Sequence, residues 1–138
     1  MDKVIPQKVV KALLFYTDHI LLLTRSKQLF HGMEDLPGGK LEPNELPVPG
    51  LIREIKEETG LDVNELIPVA THEWEGPDGR QFFEYLYCAV VDINDVVLNP
   101  EEHSSFRWIP LEQIESSKIH PKIKELILAN MSRIKVIG

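Results

Sequence analysis

Gly39-Lys40-Leu41-Glu42-Pro43-Asn44-Glu45, followed after seven residues by Arg53-Glu54-Ile55-Lys56-Glu57-Glu58-Thr59-Gly60-Leu61, is the stretch on which the reading of this chain turns. On a helix of 3.6 residues per turn, Glu54, Glu57 and Glu58 stand at i, i+3 and i+4, so their carboxylates share one face with Cβ atoms about 5–6 Å apart. Like charges that close repel. A purely structural helix separates them or pairs them with Lys, whereas a hard divalent cation turns the repulsion into binding. Ile52, Ile55 and Thr59 fall on another side of the same helix, a stripe able to pack on a sheet while the acidic face looks into a cleft. The acidic face therefore reads as a magnesium site. Magnesium grips phosphates through one or two carboxylates, neutralises phosphoryl charge and activates water, which makes a diphosphate its natural partner. A formal net charge of −7 gives no general attraction for anionic substrates, so metal ions and a few basic residues must supply it.

At every fixed position this run resembles the signature of the Nudix hydrolases, which cleave diphosphate bonds in compounds built on a nucleoside diphosphate linked to another group. The resemblance implies an α/β protein, the Nudix-fold α/β/α sandwich with a mixed sheet, with residues 1–138 as a single domain. It also implies dependence on Mg2+, with Mn2+ able to substitute. Glu57 and Glu58 would be the principal metal ligands, the backbone carbonyl of Gly38 a further one, and Glu54 a metal-associated carboxylate or the general base. Arg53, four residues before Glu57, would form an i,i+4 ion pair and orient a catalytic glutamate. Family members often add an acidic residue from a late loop, and Asn99-Pro100-Glu101-Glu102-His103 looks like that loop, with Glu102 the first choice and Glu101 the second. Leu36-Pro37-Gly38-Gly39-Lys40-Leu41-Glu42 resembles the usual approach to the motif, its two glycines allowing close approach to a ligand. Arg25, Lys40 and Gly39 lie where phosphate contacts are common in the family. The role of Glu45 stays open.

Two departures from the family pattern carry expectations of their own. Leu46-Pro47-Val48-Pro49-Gly50 stands where small helix formers are usual. Each proline pushes the residue before it away from helical dihedrals, so the helix is expected to start near Pro49, leaving Glu45 in the preceding loop. It should end at Thr59, with Gly60 in the left-handed capping position. The tryptophan that often precedes Leu-Pro-Gly-Gly is replaced by Met33-Glu34-Asp35, and recognition of the base or substituent should differ accordingly.

The rest of the chain bounds the class. With 138 residues, 43% hydrophobic and 27% charged, the composition is that of one soluble globular domain. Apolar stretches fall far short of the ~20 residues a membrane span needs, and the N-terminus lacks a signal-peptide pattern. The one cysteine, Cys88, lies in an apolar strand pattern and reads as a small core residue in a reducing compartment, with the cytoplasm as the expected location. Gln7 to Phe15 and Ile20 to Thr24 read as antiparallel strands joined tightly through Tyr16 to His19, with a loop from Gln28 to Met33 after them. Leu66 to Trp74 and Gln81 to Val91 form a second pair across the turn Gly76-Pro77-Asp78-Gly79. Phe106 to Ile109 is a short strand, Leu111 to Glu115 a helical turn, and Pro121 to Ile134 an amphipathic helix. Phe82, Phe83, Tyr85 and Tyr87 suit the core better than base stacking, with alternation sending the last three to one face. His31, His72, His103 and His120 lack metal-site spacing and read as structural or exposed. Pro77, near where ADP-ribose-cleaving relatives often carry a proline, is explained by its turn.

Two functional classes remain at this point. The first is a metal-dependent enzyme acting on a small-molecule nucleotide. It would be a MutT-type nucleoside triphosphate pyrophosphohydrolase, favoured by the compact length, or an ADP-ribose or nucleotide-sugar diphosphatase. The second is a non-catalytic Nudix-fold module that senses a nucleotide. The intact set of Arg53, Glu54, Glu57 and Glu58 favours the enzyme. No appended DNA-binding helix pair or membrane segment is visible, so neither a nucleic-acid polymer nor a membrane is an expected partner. Monomer and homodimer are both open, as are the number of metal ions and the phosphorus attacked.

Overall fold

The computed structural model describes residues 5–26 and 32–138. His31 and, apart from Gly32 and Met33, the expected loop from Gln28 to Met33 lie outside them. Strands β1 (Gln7–Tyr16) and β2 (His19–Arg25) form the expected antiparallel pair, closed by a turn in which Thr17 (φ 44°) and Asp18 (φ 67°) both take left-handed conformations. That turn's twist matches the flanking strands. β3 (Glu34–Asp35) and β4 (Gly38–Lys40) follow, then helix α1 (Pro47–Thr59). β5 (Ile67–Glu75) and β6 (Gln81–Val90) make the second hairpin, β7 (His103–Pro110) leads through a 3-10 turn at Leu111–Ser116, and α2 (Pro121–Ala129) and α3 (Met131–Ile137) complete the order.

One seven-stranded mixed sheet results, with the path β3-β2-β1-β6-β5, β4 on β1 and β7 on β2. β1 runs parallel to β6 over Gln7–Phe15, and the other pairings are antiparallel. Because successive side chains point to opposite faces, β1 serves two cores at once. Val10, Ala12 and Leu14 meet Leu51 and Ile55 of α1, while Leu13 and Phe15 meet Ile123 and Ile127 of α2 and Ile134 of α3. A strand covered on both faces reads as the near-continuous apolar run seen here. The layers are helix, sheet, helix, as the resemblance implied. Cys88 is fully buried among the α2-side residues, a core cysteine as expected, and burial pushes its thiol up to about 12.

The structure corrects four expectations. Helix α1 begins at Pro47, not Pro49. The first helical N–H groups have no intrahelical acceptor, so both prolines fit in the first turn without losing a hydrogen bond, and the first ladder bond runs from Gly50 N–H to the Leu46 carbonyl at 3.0 Å. The core face of α1 is Leu51, Ile55 and Thr59, with Glu58 buried on it as well, whereas Ile52 is only half-buried. The expected helix from Pro121 to Ile134 is two helices broken at Asn130, whose side-chain amide donates to the Leu126 carbonyl at 2.8 Å and so competes with the backbone ladder. β7 is twice the expected length, because polar His103 and Ser105 pair with Arg25 and Thr24 of β2 without an apolar pattern to announce it. The C-terminal cap of α1 is as expected, Gly60 at φ 74°.

Ile55 has no solvent exposure and joins α1 to β1 and β2. Ile55→Ala should destabilise the protein by about 2–5 kcal/mol, the range for deleting a buried branched side chain, measured by urea unfolding. A loss under about 1 kcal/mol would contradict the packing described.

Candidate active site

The approach strand sets the geometry. β4 pairs with β1 through Gly38↔Lys11, Gly39↔Val10 and Lys40↔Val9. Gly38 lies at φ 144°, and a Cβ there would sit 1.9 Å from the Val10 carbonyl oxygen, so only glycine lets the strands meet. At Gly39 a Cβ would fall 2.8 Å from the Glu54 carboxyl carbon, which shows that this carboxylate lies directly over the strand backbone. The glycine pair brings the chain against the acidic helix.

Glu58 is 5% exposed, and one of its oxygens accepts the Gly38 N–H at 2.7 Å. Burial, helped by Glu54 and Asp35, pushes its carboxyl up to about 8 against the opposing pull of Lys11 and the Gly38 N–H. Glu58, Glu102 and His103 each direct a ligand atom into one spot, all within 4.8 Å of one another. Nε2 of His103 stands 3.9 Å from Glu58 Oε2. Burial holds the imidazole below its ordinary pKa, which keeps a lone pair available. Of the two candidates in the late loop, Glu102 lies in this cluster, whereas Glu101 is exposed and engages Ser26 only through its backbone carbonyl. Buried and half-buried oxygen donors with a neutral imidazole are a donor set that a divalent cation fits.

Arg53 organises the other carboxylates. Its Nε and Nη2 donate to Glu45 at 2.7 and 2.9 Å, a bidentate fork, while Nη1 reaches Glu57 at 3.2 Å and Glu54 at 3.2 Å. The expected i,i+4 pair with Glu57 is present, and the open role of Glu45 gains a geometry: it clamps the guanidinium. Arg53's hydrogen bonds, with one from the Glu42 N–H, push the Glu45 carboxyl down to about 2. Burial, with Glu57 and Glu102 nearby, raises Glu54 above the ordinary carboxylate range despite Arg53. Glu57 is exposed and sits with Arg53, outside the Glu58, Glu102 and His103 cluster.

Among the expected phosphate contacts, Arg25 donates to Asp35 at 3.0 Å, while Lys40 is exposed with no ion pair among the described residues. Sequence reasoning missed two residues here. Lys11 is 8% exposed and donates to Asp35 at 2.8 Å. Burial works against its charge, but the field and hydrogen bond of Asp35 outweigh that and raise its pKa. The signal was a lone charge inside the apolar run Val9 to Phe15. His103 was set aside for want of a second histidine at metal spacing, when its partners are carboxylates from other elements. His72 and His120 make structural contacts. His72 bonds Glu84 at 2.7 Å, and His120 accepts the Lys122 N–H at the start of α2 and packs on Trp74 at 4.8 Å. Phe82 stacks on Trp74 at 4.7 Å, and Phe83 packs edge-on with Tyr85 on the opposite face.

A family model described as NUDIX domain matches residues 6–129, and the chain belongs to that family. Among solved structures, a MutT protein from Methanosarcina mazei Go1 superposes with a TM-score of 0.83 at 27% identity, covering 94% of this chain and 96% of that one. The NUDIX domain of Shewanella oneidensis NrtR, complexed with ADP ribose, has a TM-score of 0.75 at 22% identity over 92% of this chain and 89% of that one, a likeness of fold. The 8-oxo-dGTP diphosphatase of Proteus vulgaris is 45% identical over 47 residues, 34% of this chain and 42% of that protein. Matches to curated relatives span between 29% and 52% of those proteins' own lengths. Among the described residues no helix is long and apolar enough to cross a membrane.

Proposed function

We propose that this chain hydrolyses a diphosphate bond in a nucleotide with the help of a divalent metal ion, Mg2+ or Mn2+, and that its substrate is a nucleoside triphosphate cleaved to monophosphate and pyrophosphate. The observation that carries the reading is the convergence of Glu58 and Glu102 on one spot, with a Glu58 oxygen on the Gly38 N–H and the Glu54 carboxylate against Gly39. A buried carboxylate that must give up a proton to become charged has no structural use there that a glutamine would not serve as well. The local likeness to the Proteus vulgaris 8-oxo-dGTP diphosphatase, an enzyme named for a nucleoside triphosphate, supports the substrate class.

Glu58 and Glu102 would hold the ion, with Glu54, Glu57 and the Gly38 carbonyl as further donors. When bound, the ion supplies charge neutralisation on the phosphoryl oxygens and activation of water. The chain's own residues do the rest. Arg53 fixes Glu54 and Glu57 on the helix face, anchored by Glu45. Glu54, which burial holds above the usual carboxylate range, is a stronger proton acceptor than a free carboxylate and suits the role of general base. Lys40, exposed beside Gly39 and without an ion pair among the described residues, offers its ammonium to a phosphate. The lone buried thiol of Cys88 suits a reducing compartment, and we place the activity in the cytoplasm.

Incubation with Mg2+ across nucleoside triphosphates including oxidised ones, ADP-ribose, nucleotide sugars and dinucleoside polyphosphates tests this reading. Release of pyrophosphate from triphosphates is the expected result. Turnover confined to ADP-ribose or a nucleotide sugar would keep the chemistry and replace the substrate, and nucleotide binding without turnover of any of them would favour a sensing module.

A further inference from the structure

The carboxylate cluster contains one donor that is not an oxygen. His103 is 6% exposed and opens β7, where its backbone N–H bonds the Asn99 carbonyl at 3.0 Å and its backbone pairs with Arg25, so the ring is held by the fold. Neither ring nitrogen makes a hydrogen bond among the described residues. Nδ1 is one of only two buried side-chain polar atoms there with no partner, the other being the indole nitrogen of Trp108. An enclosed polar group left unpaired is costly, and most native ones are satisfied, so packing alone does not account for an imidazole at this position.

Its placement does. The Nε2 to Glu58 Oε2 distance is 3.9 Å, and the ligand atoms of Glu58, Glu102 and His103 lie within 4.8 Å of one another. Two donors bound to the same ion at about 2.1 Å each stand roughly 3–4 Å apart, so little movement is needed for shared coordination. Mg2+ prefers an all-oxygen shell, whereas imidazole raises affinity for later first-row ions, in the order Mn2+, then Co2+.

We propose that His103 is a nitrogen ligand of this chain's divalent-metal centre, and that it shifts the site's preference from Mg2+ toward Mn2+ and Co2+. The inference rests on the metal-dependent reading above and concerns which ion the site favours.

Pulsed EPR on the Mn2+-loaded native chain reads the ligand directly, since a bound imidazole gives a nitrogen-14 coupling. The expected result is that coupling in the native protein and its loss in His103→Gln. Metal titrations followed by thermal shift should show Mn2+ and Co2+ affinity falling about 10-fold or more in the variant, with Mg2+ affinity changing less than about 3-fold. Bound Mn2+ with no nitrogen coupling in the native chain overturns the proposal, and so does an equal loss of all three ions in a variant that still folds. If the variant fails to fold, the native spectrum decides alone. Metal-dependent hydrolysis without the coupling would remove this inference and leave the hydrolase reading standing.

Discussion

Glu58→Gln is expected to lower turnover by about 10³-fold or more while leaving the metal-free protein at least as stable as the native chain. Most substitutions of a buried charged residue weaken a protein, and the reversal here follows from the environment of this carboxylate. Burial pushes Glu58 up to about 8 from its ordinary 4.5. Between those two values the folded chain holds a proton that the unfolded chain has released, so unfolding loses a proton and stability falls as pH rises. Stability from this group is fully present below about pH 4.5 and gone above about pH 8. At about 1.4 kcal/mol per pKa unit the difference is a few kcal/mol. Glutamine keeps an acceptor for the Gly38 N–H, carries no charge to bury and removes the titration. Urea unfolding of the metal-free protein between pH 5 and pH 8 should therefore show a decline in the native chain and a flatter profile in the variant. The same slope in both would show that Glu58 is not the group responsible.

Arg53→Ala is the second large effect, with an expected fall of about 10²-fold or more in kcat from loss of alignment. One guanidinium holds Glu45, Glu54 and Glu57, and without it the two helix carboxylates repel each other with nothing between them. Arg53→Lys should recover little, because an ammonium cannot reproduce the two-toothed contact with Glu45. Steady-state kinetics at saturating metal separates this from a binding defect: kcat should fall far more than KM rises. A pure KM effect would place Arg53 on the substrate and not on the carboxylates.

Much of this was legible in the sequence, for reasons that lie in particular residues. The spacing from Gly39 to Leu61 made the helix, apart from its start, and its cap at Gly60 legible, because each of those features has few residue solutions. Alternation in the strands and the turn at Gly76 to Gly79 placed both hairpins. What escaped was tertiary. Nothing local shows that Glu58 is buried among core residues while Glu57, its neighbour, stays in solvent. That follows from the Leu51, Ile55, Glu58 stripe only once packing on the sheet shows which side of the helix faces it. Lys11 takes its meaning from Asp35, across the sheet, and His103 from Glu58, on a different element. Asn130 broke a helix through a side-chain contact that apolar periodicity does not register.

Titration of Mg2+ into the protein at pH 7, following proton release and turnover of a nucleoside triphosphate together, tests the central claim most directly. Metal that displaces the Glu58 proton should release about one proton per site, and turnover should rise along the same curve as that release. Turnover without added metal, or metal binding with no proton released and no effect of Glu58→Gln, would contradict the account.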